Sequence, residues 1–264
     1  MAPNAPTWAW VLVFVASIAV AVAAWLGLAV LVRPLGLSRA KRTNFLAVAA
    51  LLLGGGLALD VVLGATHALR AGPDRFPFIG LPIAGVLAIG FLAFFSSPTL
   101  RRALEAIPQP WLVGVQVGRV IGGSFLVLMA IHELPARFAI PAGAGDVTVG
   151  LAAPVVAYVY ARRGSAARPL AIAFNLVGIL DLVVAVTLGV TSAPGPQRLF
   201  FGGPSTAMMA VLPMVLIPVF LVPLAILTHA ASLHGLLAGR TEAAPGREAL
   251  TGRTWRPTVN RLVH

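Results

Sequence analysis

Three ionisable residues lie inside long apolar stretches of the sequence, where a charge needs a partner or a function. They are Arg119, Asp60 and Asp181, and each interrupts a run of mostly apolar residues. Inserting one such group into a membrane costs roughly 2.5–3.5 kcal/mol on insertion scales. Arg119 and Asp181 are predicted to form an ion pair, which either serves a solute or a proton or locks helices together. Asp60 either supplies a second carboxylate or faces water near a membrane surface.

Two amide side chains are predicted hydrogen-bonding neighbours of this ion pair. Gln116 precedes Arg119 by three residues and so shares its helix face. At 1.5 Å per residue from the ends of the apolar runs, Arg119 lies about 12 Å, Asn175 about 9 Å and Asp181 about 18 Å deep. A long arginine side chain spans this difference in depth. The structural role of the pair is favoured by Gly114, Gly118 and Gly122, whose four-residue spacing lets membrane helices approach closely.

A second set of polar residues lies at the ends of different apolar runs: His67, His132, Glu133 and Asp146. Histidine and carboxylate hold zinc or iron in proteins, so this set is a candidate metal or haem site. No two of them have the spacing of ligands on one helix, and we expect no cofactor. In the competing interpretation Asp146 caps the start of a helix after Gly-Ala-Gly, and the two histidines are interfacial.

The last apolar run contains three prolines and is followed by two histidines. His229 and His234 are five residues apart, so they point about 140° from each other on a helix and are expected at the membrane interface. Pro213, Pro218 and Pro223 each remove a backbone donor. Interrupted helices at the bilayer midplane form the binding sites of many transporters.

Seven apolar runs are long enough to position these residues within a membrane, because a hydrocarbon core of roughly 30 Å needs about 20 helical residues. Hydrophobic residues make up 59% of the chain, charged residues only 10%, and the mean hydropathy is +0.94. This composition excludes an ordinary water-soluble domain. The runs are continuously apolar and do not alternate, which predicts an all-α bundle. The predicted spans are residues 8–32, 45–65, 78–97, 111–131, 147–161, 169–190 and 206–227.

The distribution of positive charge predicts the orientation of these spans. Most of the 19 Lys and Arg residues fall on alternate loops and on the C-terminal tail, while the intervening loops carry only Arg70, Arg75, Arg137 and Arg198. The N-terminus is therefore predicted outside and the C-terminus inside the cytoplasmic (inner) membrane of a bacterium. The net charge of +11 is better explained by anionic lipid at the inner loops and tail than by nucleic acid.

Two units are predicted: a seven-helix transmembrane domain over residues 1–238 and a basic, mobile cytoplasmic tail over residues 239–264. A weak repeat relates the second and sixth spans. Residues 59–62 match residues 180–183, and residues 72–80 match residues 195–203 at five of nine positions. The repeat is parallel and gives a three-plus-one-plus-three plan, unless it reflects the chance similarity of apolar helices joined by Gly-Pro turns.

The three-plus-one-plus-three topology resembles that of SWEET sugar transporters. Microbial rhodopsins share the helix number, but the only lysine, Lys41, lies in a predicted loop and leaves no intramembrane amine for retinal. Two stretches, LPARFAIPAGAGD at residues 134–146 and GILDLV at residues 178–183, resemble a bacterial family of seven-helix integral membrane proteins. This resemblance covers about half of the chain, from the fourth span onward, and implies a fold without implying an activity.

Three functions are compatible with these features. The first is binding or movement of a small solute across the membrane, which the repeat, the interrupted last span and the buried ion pair favour. The second is an intramembrane metal or haem enzyme, or a redox subunit, built on the His and carboxylate set. The third is an accessory membrane subunit without chemistry of its own. The chain has no cysteine, which excludes disulfides and thiolate metal sites.

Overall fold

The computed structural model describes residues 5–72, 74–76, 78–201 and 203–239, so most of the predicted tail lies outside the described residues. Within these ranges the regular elements are helical, as the continuously apolar runs predict. The α-helices are α1 (Thr7–Leu31), α2 (Arg39–Ala50), α3 (Gly56–Ala65), α4 (Gly80–Ser96), α5 (Pro98–Glu105), α6 (Gln109–Gly114), α7 (Gly123–Ala130), α8 (Ala136–Arg163), α9 (Arg168–Thr191) and α10 (Val222–Leu237).

Several helical segments are long and apolar enough to cross a membrane. In the part of the chain that the structure describes there are five, or six if α4 and α5, which meet at 93°, count as one broken span. The composition of the chain and the length of these helices therefore agree on a helical membrane protein. The five segments are Thr7–Leu35, Arg39–Ala65, Gln109–Ala130, Ala136–Thr191 and Ile217–Leu237.

The longest of these segments turns back on itself. A single 3₁₀ turn, Gly164–Ala167, separates α8 from α9, and Gly164 has a φ of 54°, which glycine adopts without strain. The two helices then pack along each other, so that Gly145 on α8 lies against Asp181 on α9. α8 and α9 correspond to the fifth and sixth predicted spans.

Two predicted boundaries are wrong. α8 begins at Ala136, so Asp146 lies ten residues inside a helix and does not cap its start. The last predicted span, residues 206–227, ends too early, because α10 begins at Val222 and continues to Leu237. The predicted interruption of this span is present, as a 3₁₀ turn at Thr206–Ala210 and a π-helix at Ile217–Leu221. The three prolines of this region account for the interruption, because each removes a donor that a continuous helix needs.

The helix ends gather at two faces of the bundle. One face, here called the His67 end, contains the loops at residues 66–79, 131–135 and 192–205. Phe200 makes a cation–π contact with Arg137 at the start of α8, and Gly195 packs against the carbonyl of Arg75. The opposite face, here called the Arg163 end, contains the α8–α9 turn and the end of α10, where Arg168 donates to the carbonyl of Leu237 at 3.3 Å. The interior between these ends is built mainly by α6, α7, α8, α9 and α10.

Candidate functional site

The segment between α6 and α7 brings an arginine into the bundle. Val115–Gly122 is a 3₁₀ stretch of eight residues, whereas such stretches usually contain three or four and mark functional or strained positions when they interrupt a helix. It packs tightly on α8: a Cβ added to Gly150 would lie 2.8 Å from the backbone nitrogen of Val120. Arg119 leaves this stretch toward the interior and retains 6% of its surface exposed.

Arg119 holds two carboxylates at once. Its Nε donates to Oδ1 of Asp146 at 2.8 Å, and its Nη2 lies 2.7 Å from the same oxygen. The same Nη2 pairs with Oδ2 of Asp181, and Nη1 donates to the carbonyl of Gly178 at 3.0 Å. The predicted contact between Arg119 and Asp181 is therefore present, and Asp146 joins it. These three residues are called the triad below.

The triad carries more negative than positive charge. One guanidinium faces two carboxylates, which gives a formal charge of −1 when both are ionised. In the part of the chain that the structure describes, no donor bonds to Oδ2 of Asp146 or to Oδ1 of Asp181. An excess charge inside a membrane is costly, so this site is suited to a proton or a positively charged group.

A chain of hydrogen bonds leads from the triad toward the Arg163 end. Nη1 of Arg119 lies 3.5 Å from Nε2 of His229, and Nδ1 of His229 lies 2.9 Å from Oδ1 of Asn175. A guanidinium only donates, so the ring nitrogen facing it accepts, and Nδ1 carries the hydrogen that His229 donates to Asn175. Asn175 then donates to Oγ of Ser232 at 2.9 Å, and Ser232 donates to Oε1 of Gln109 at 2.9 Å. These four residues beyond Arg119 are called the polar chain.

His229 belongs to this site, although the sequence places it at the membrane interface. It is fully buried beside Phe174, at 5.7 Å between ring centroids, whereas His234 lies nearer the end of α10 against Phe94. A signal for this placement exists in the sequence. His229, Ser232 and Gly235 are spaced three residues apart on one face of α10. The first two belong to the polar chain, and Gly235 packs against Gln109.

The other two residues predicted near the pair have different positions. Gln116 is buried but donates to the carbonyl of Ala225 at 3.4 Å, which ties the 3₁₀ stretch to α10 without contacting the triad. Asp60 is 3% exposed, so of its two predicted alternatives the one in which it faces water is wrong. Among the described residues, no donor contacts its buried Oδ2. Its predicted equivalence to Asp181 in a repeat stays a prediction.

The structure does not bring the predicted metal ligands together. Among the described residues, no group of three or more His, Cys, Asp and Glu side chains is close enough to hold a metal ion. His67 and His132 each end a helix in the left-handed region, with φ of 58° and 62°. Glu133 donates its backbone N–H to the carbonyl of Leu128 at 2.9 Å, the bond expected of a Schellman helix end, and the chain after His67 makes the same kind of bond. The four residues of this candidate set therefore do not converge among the described residues, and Asp146 belongs to the triad.

A cavity of about 380 Å³ connects the His67 end with the triad. Arg70 and Pro194 line it at the His67 end, while Asp146 and Leu182 line its deep end, about 15 Å from the start of α8 at 1.5 Å per residue. The lining is otherwise almost entirely apolar; Thr206 is its remaining polar side chain. The volume lies within the range of small-molecule sites, roughly 300–1,000 Å³.

Replacing Ser232 with alanine is expected to lower the stability of the protein by about 1–2 kcal/mol. Ser232 is fully buried and accepts one N–H of Asn175, which would lose this partner in a dry interior. Ser96→Ala is the matched control, because Ser96 is exposed and bonds only within its own helix. The midpoint of thermal unfolding in detergent measures both changes, and equal midpoints would contradict a structural contribution of the polar chain.

Comparison with known proteins gives one family match and no named relative. Neither a curated protein nor a solved structure matches the chain. A family model described as a domain of unknown function (DUF8737) matches residues 76–237. The matched region contains the triad, the polar chain and most of the cavity lining, whereas Asp60 and His67 lie before it. Because the match covers more than half of the chain, this protein belongs to the DUF8737 family.

Proposed function

We propose that this protein binds a small solute in the cavity and moves it across the bacterial cytoplasmic membrane. The observation that carries the proposal is the cavity that reaches Asp146 from the His67 end. An ion pair that only locks helices together needs no such access, whereas a binding site combines an apolar cavity with a few polar groups at fixed positions.

Two features of the residues that line the cavity favour movement of the solute as well as its binding. Ile217 and Pro218 line it and belong to the π-helix that precedes α10. Such π segments are rare and frequently occur at functional sites, and interrupted helices allow a wall to rearrange. α8, which lines the cavity with Phe138 and Asp146, contains Pro141 and Pro154 within its helix. Two of the helical elements that line the cavity therefore lack a continuous set of backbone hydrogen bonds, which favours a change of conformation.

The topology that we propose has seven spans. In it α8 and α9 cross separately, α4 crosses once, and the interrupted segment with α10 forms the last crossing. The Arg163 end carries the basic groups of the short loops, including Arg101, Arg102 and Arg162, which favours its placement inside the cell. The His67 end then faces outside, and the cavity opens outward. Anionic lipid would contact the inner loops.

A single introduced cysteine tests this proposal, because the chain has none of its own. Ala185 lines the cavity on α9, and Ala173 is exposed on the same helix, where lipid would cover it. Ala185→Cys is expected to react with a small membrane-impermeant thiol reagent in intact cells and, more slowly, in inside-out vesicles. Ala173→Cys is expected to react at least tenfold more slowly in both.

The pattern of labelling separates the alternatives. Reaction of Ala185→Cys from both sides indicates alternating access, which transport requires. Reaction from outside alone retains the binding site and removes the transport part of the proposal. Equal protection of Ala185→Cys and Ala173→Cys from both sides would contradict the proposed function, and the triad would then be a structural ion pair.

A further inference from the structure

We infer that the solute of this cavity is an organic cation: a compact apolar body with one protonated nitrogen that binds against Asp146. This inference rests on the proposed function, since it names the class of solute for the same cavity. Three properties of the site lead to it: the sign of the charge that the cavity exposes, the unused acceptor atoms, and the composition of the walls.

The cavity exposes the negative charge of the triad and hides the positive one. Asp146 lines it, whereas Arg119 does not. The guanidinium donates its hydrogen bonds to Asp146, Asp181 and the carbonyl of Gly178. A solute with a carboxylate or phosphate would have to displace one of these partners. A solute with a positive charge leaves all of them in place and brings the formal charge of the site from −1 to zero.

An acceptor is available where the cavity ends. Both contacts from Arg119 reach Oδ1 of Asp146, and among the described residues no donor reaches its Oδ2. Asp146 is 7% exposed, and its Oδ2 lies beside Gly122, where an added Cβ would overlap it. A hydrogen bond between an ammonium N–H and a carboxylate is charge-assisted and roughly twice as strong as a neutral one. The deep end of the cavity is therefore lined by a carboxylate that has one oxygen not used by Arg119.

The walls select an apolar body over a bare ion. Apart from Asp146 and Arg70, the only polar side chain of the lining is Thr206, whose hydroxyl already donates to the carbonyl of Gly189 at 2.6 Å. Hard metal cations require about six oxygen ligands, which these side chains do not provide. Arg70 lies at the mouth, at the end of the cavity away from Asp146. A monovalent cation therefore binds at the deep end, and a second positive charge near the mouth would be repelled.

Three probes of nearly equal shape test the inference on the full chain in nanodiscs of zwitterionic lipid. They are 4-phenylbutylammonium, 4-phenylbutan-1-ol and 4-phenylbutanoate, which are cationic, neutral and anionic at pH 7. We expect the ammonium to bind at least tenfold more tightly than the alcohol and the carboxylate to bind most weakly, by calorimetry against empty nanodiscs. Equal or tighter binding of the alcohol or the carboxylate overturns the cation class but leaves a binding cavity.

Asp146→Asn tests whether the Asp146 carboxylate is responsible for the preference for the ammonium. The substitution keeps the shape of the side chain and the pair of Arg119 with Asp181, and it removes the excess charge. The preference for the ammonium over the alcohol is expected to fall at least tenfold, because the ammonium loses its ionic partner whereas the alcohol still meets an acceptor in the amide oxygen. Asp74→Asn, which removes an exposed carboxylate at the His67 end, is the matched control and is expected to keep the wild-type preference.

Two further outcomes complete the test. If Asp146→Asn does not yield folded protein, Asp181→Asn takes its place, because it lowers the charge of the triad without altering the carboxylate that lines the cavity. Asp181→Asn is expected to lower the preference, because the triad is then neutral before the ammonium binds. Full retention of the preference in Asp146→Asn overturns the assignment to Asp146, and full retention in Asp181→Asn overturns the contribution of the excess charge. If none of the probes binds the wild type, the inference is wrong, and the proposed function is decided separately by the labelling of Ala185→Cys.

Discussion

Arg119→Ala is expected to lower the free energy of unfolding by about 3–5 kcal/mol, the largest loss of any single substitution considered for this chain. The reason is that Asp146 and Asp181 would both remain in the interior without their shared partner. An isolated buried charge costs far more than a buried pair, and here two like charges would face each other. Unfolding titrations of the detergent-solubilised protein measure the loss.

Two further variants decide how this loss is interpreted. Arg162→Ala removes an exposed arginine whose side chain contacts Tyr158 of its own helix, and it is expected to change stability by less than about 0.5 kcal/mol. A triple variant with Arg119→Met, Asp146→Leu and Asp181→Leu is expected to recover most of the stability, because apolar replacement of a buried ionic cluster is often neutral or stabilising. Similar stabilities for Arg119→Ala and Arg162→Ala would contradict the contacts of the triad.

The same contacts make Arg119 a poor probe of function and Asp146 a good one. Loss of activity in Arg119→Ala would reflect loss of the fold, so it would not distinguish a binding site from a structural ion pair. Asp146→Asn removes the negative charge that lines the cavity and keeps the neutral ion pair of Arg119 with Asp181. The two interpretations of the ion pair are therefore compatible: Arg119 can stabilise the bundle while, in the proposed function, Asp146 binds the solute.

The sequence predicts the helical class and one contact of the site. Continuously apolar runs specify helices because a backbone in lipid has to satisfy its own hydrogen bonds. The contact between Arg119 and Asp181 follows from depth alone, since a charge in a membrane helix needs a partner at a height that its side chain reaches. Both predictions depend only on local composition and on the length of a helix.

Asp146 and His229 could not be placed in this way, because both depend on where a helix begins or ends. The Gly-Ala-Gly stretch before Asp146 has the composition of a helix start, yet packing on α9 continues α8 for ten residues before it. The last predicted span ends at residue 227, whereas α10 continues to Leu237. This shift of ten residues is about 15 Å along a helix, enough to move His229 from the interface into the interior.

Two glycines of the 3₁₀ stretch allow a second decisive comparison. Gly118 and Gly122 occur at equivalent spacing in the sequence, but their surroundings differ. A Cβ added to Gly122 would overlap Cβ of Asp146 and lie 2.6 Å from its Cγ, whereas a Cβ added to Gly118 would meet nothing within 4 Å. The predicted close approach of glycine-rich helices therefore occurs at Gly122, against the triad itself, and not at Gly118.

Gly122→Ala is expected to cost about 2–3 kcal/mol, near the upper end for an inserted methyl group. The overlap involves Cβ of Asp146, which moves only with the backbone of α8, so relief requires the two helices to separate and Arg119 to lose its contacts. Gly118→Ala adds the same methyl group in open space and is expected to be neutral or slightly stabilising, because alanine favours a helical backbone over glycine. Thermal unfolding of the two variants side by side measures the difference, and equal midpoints would contradict the packing of the 3₁₀ stretch on Asp146.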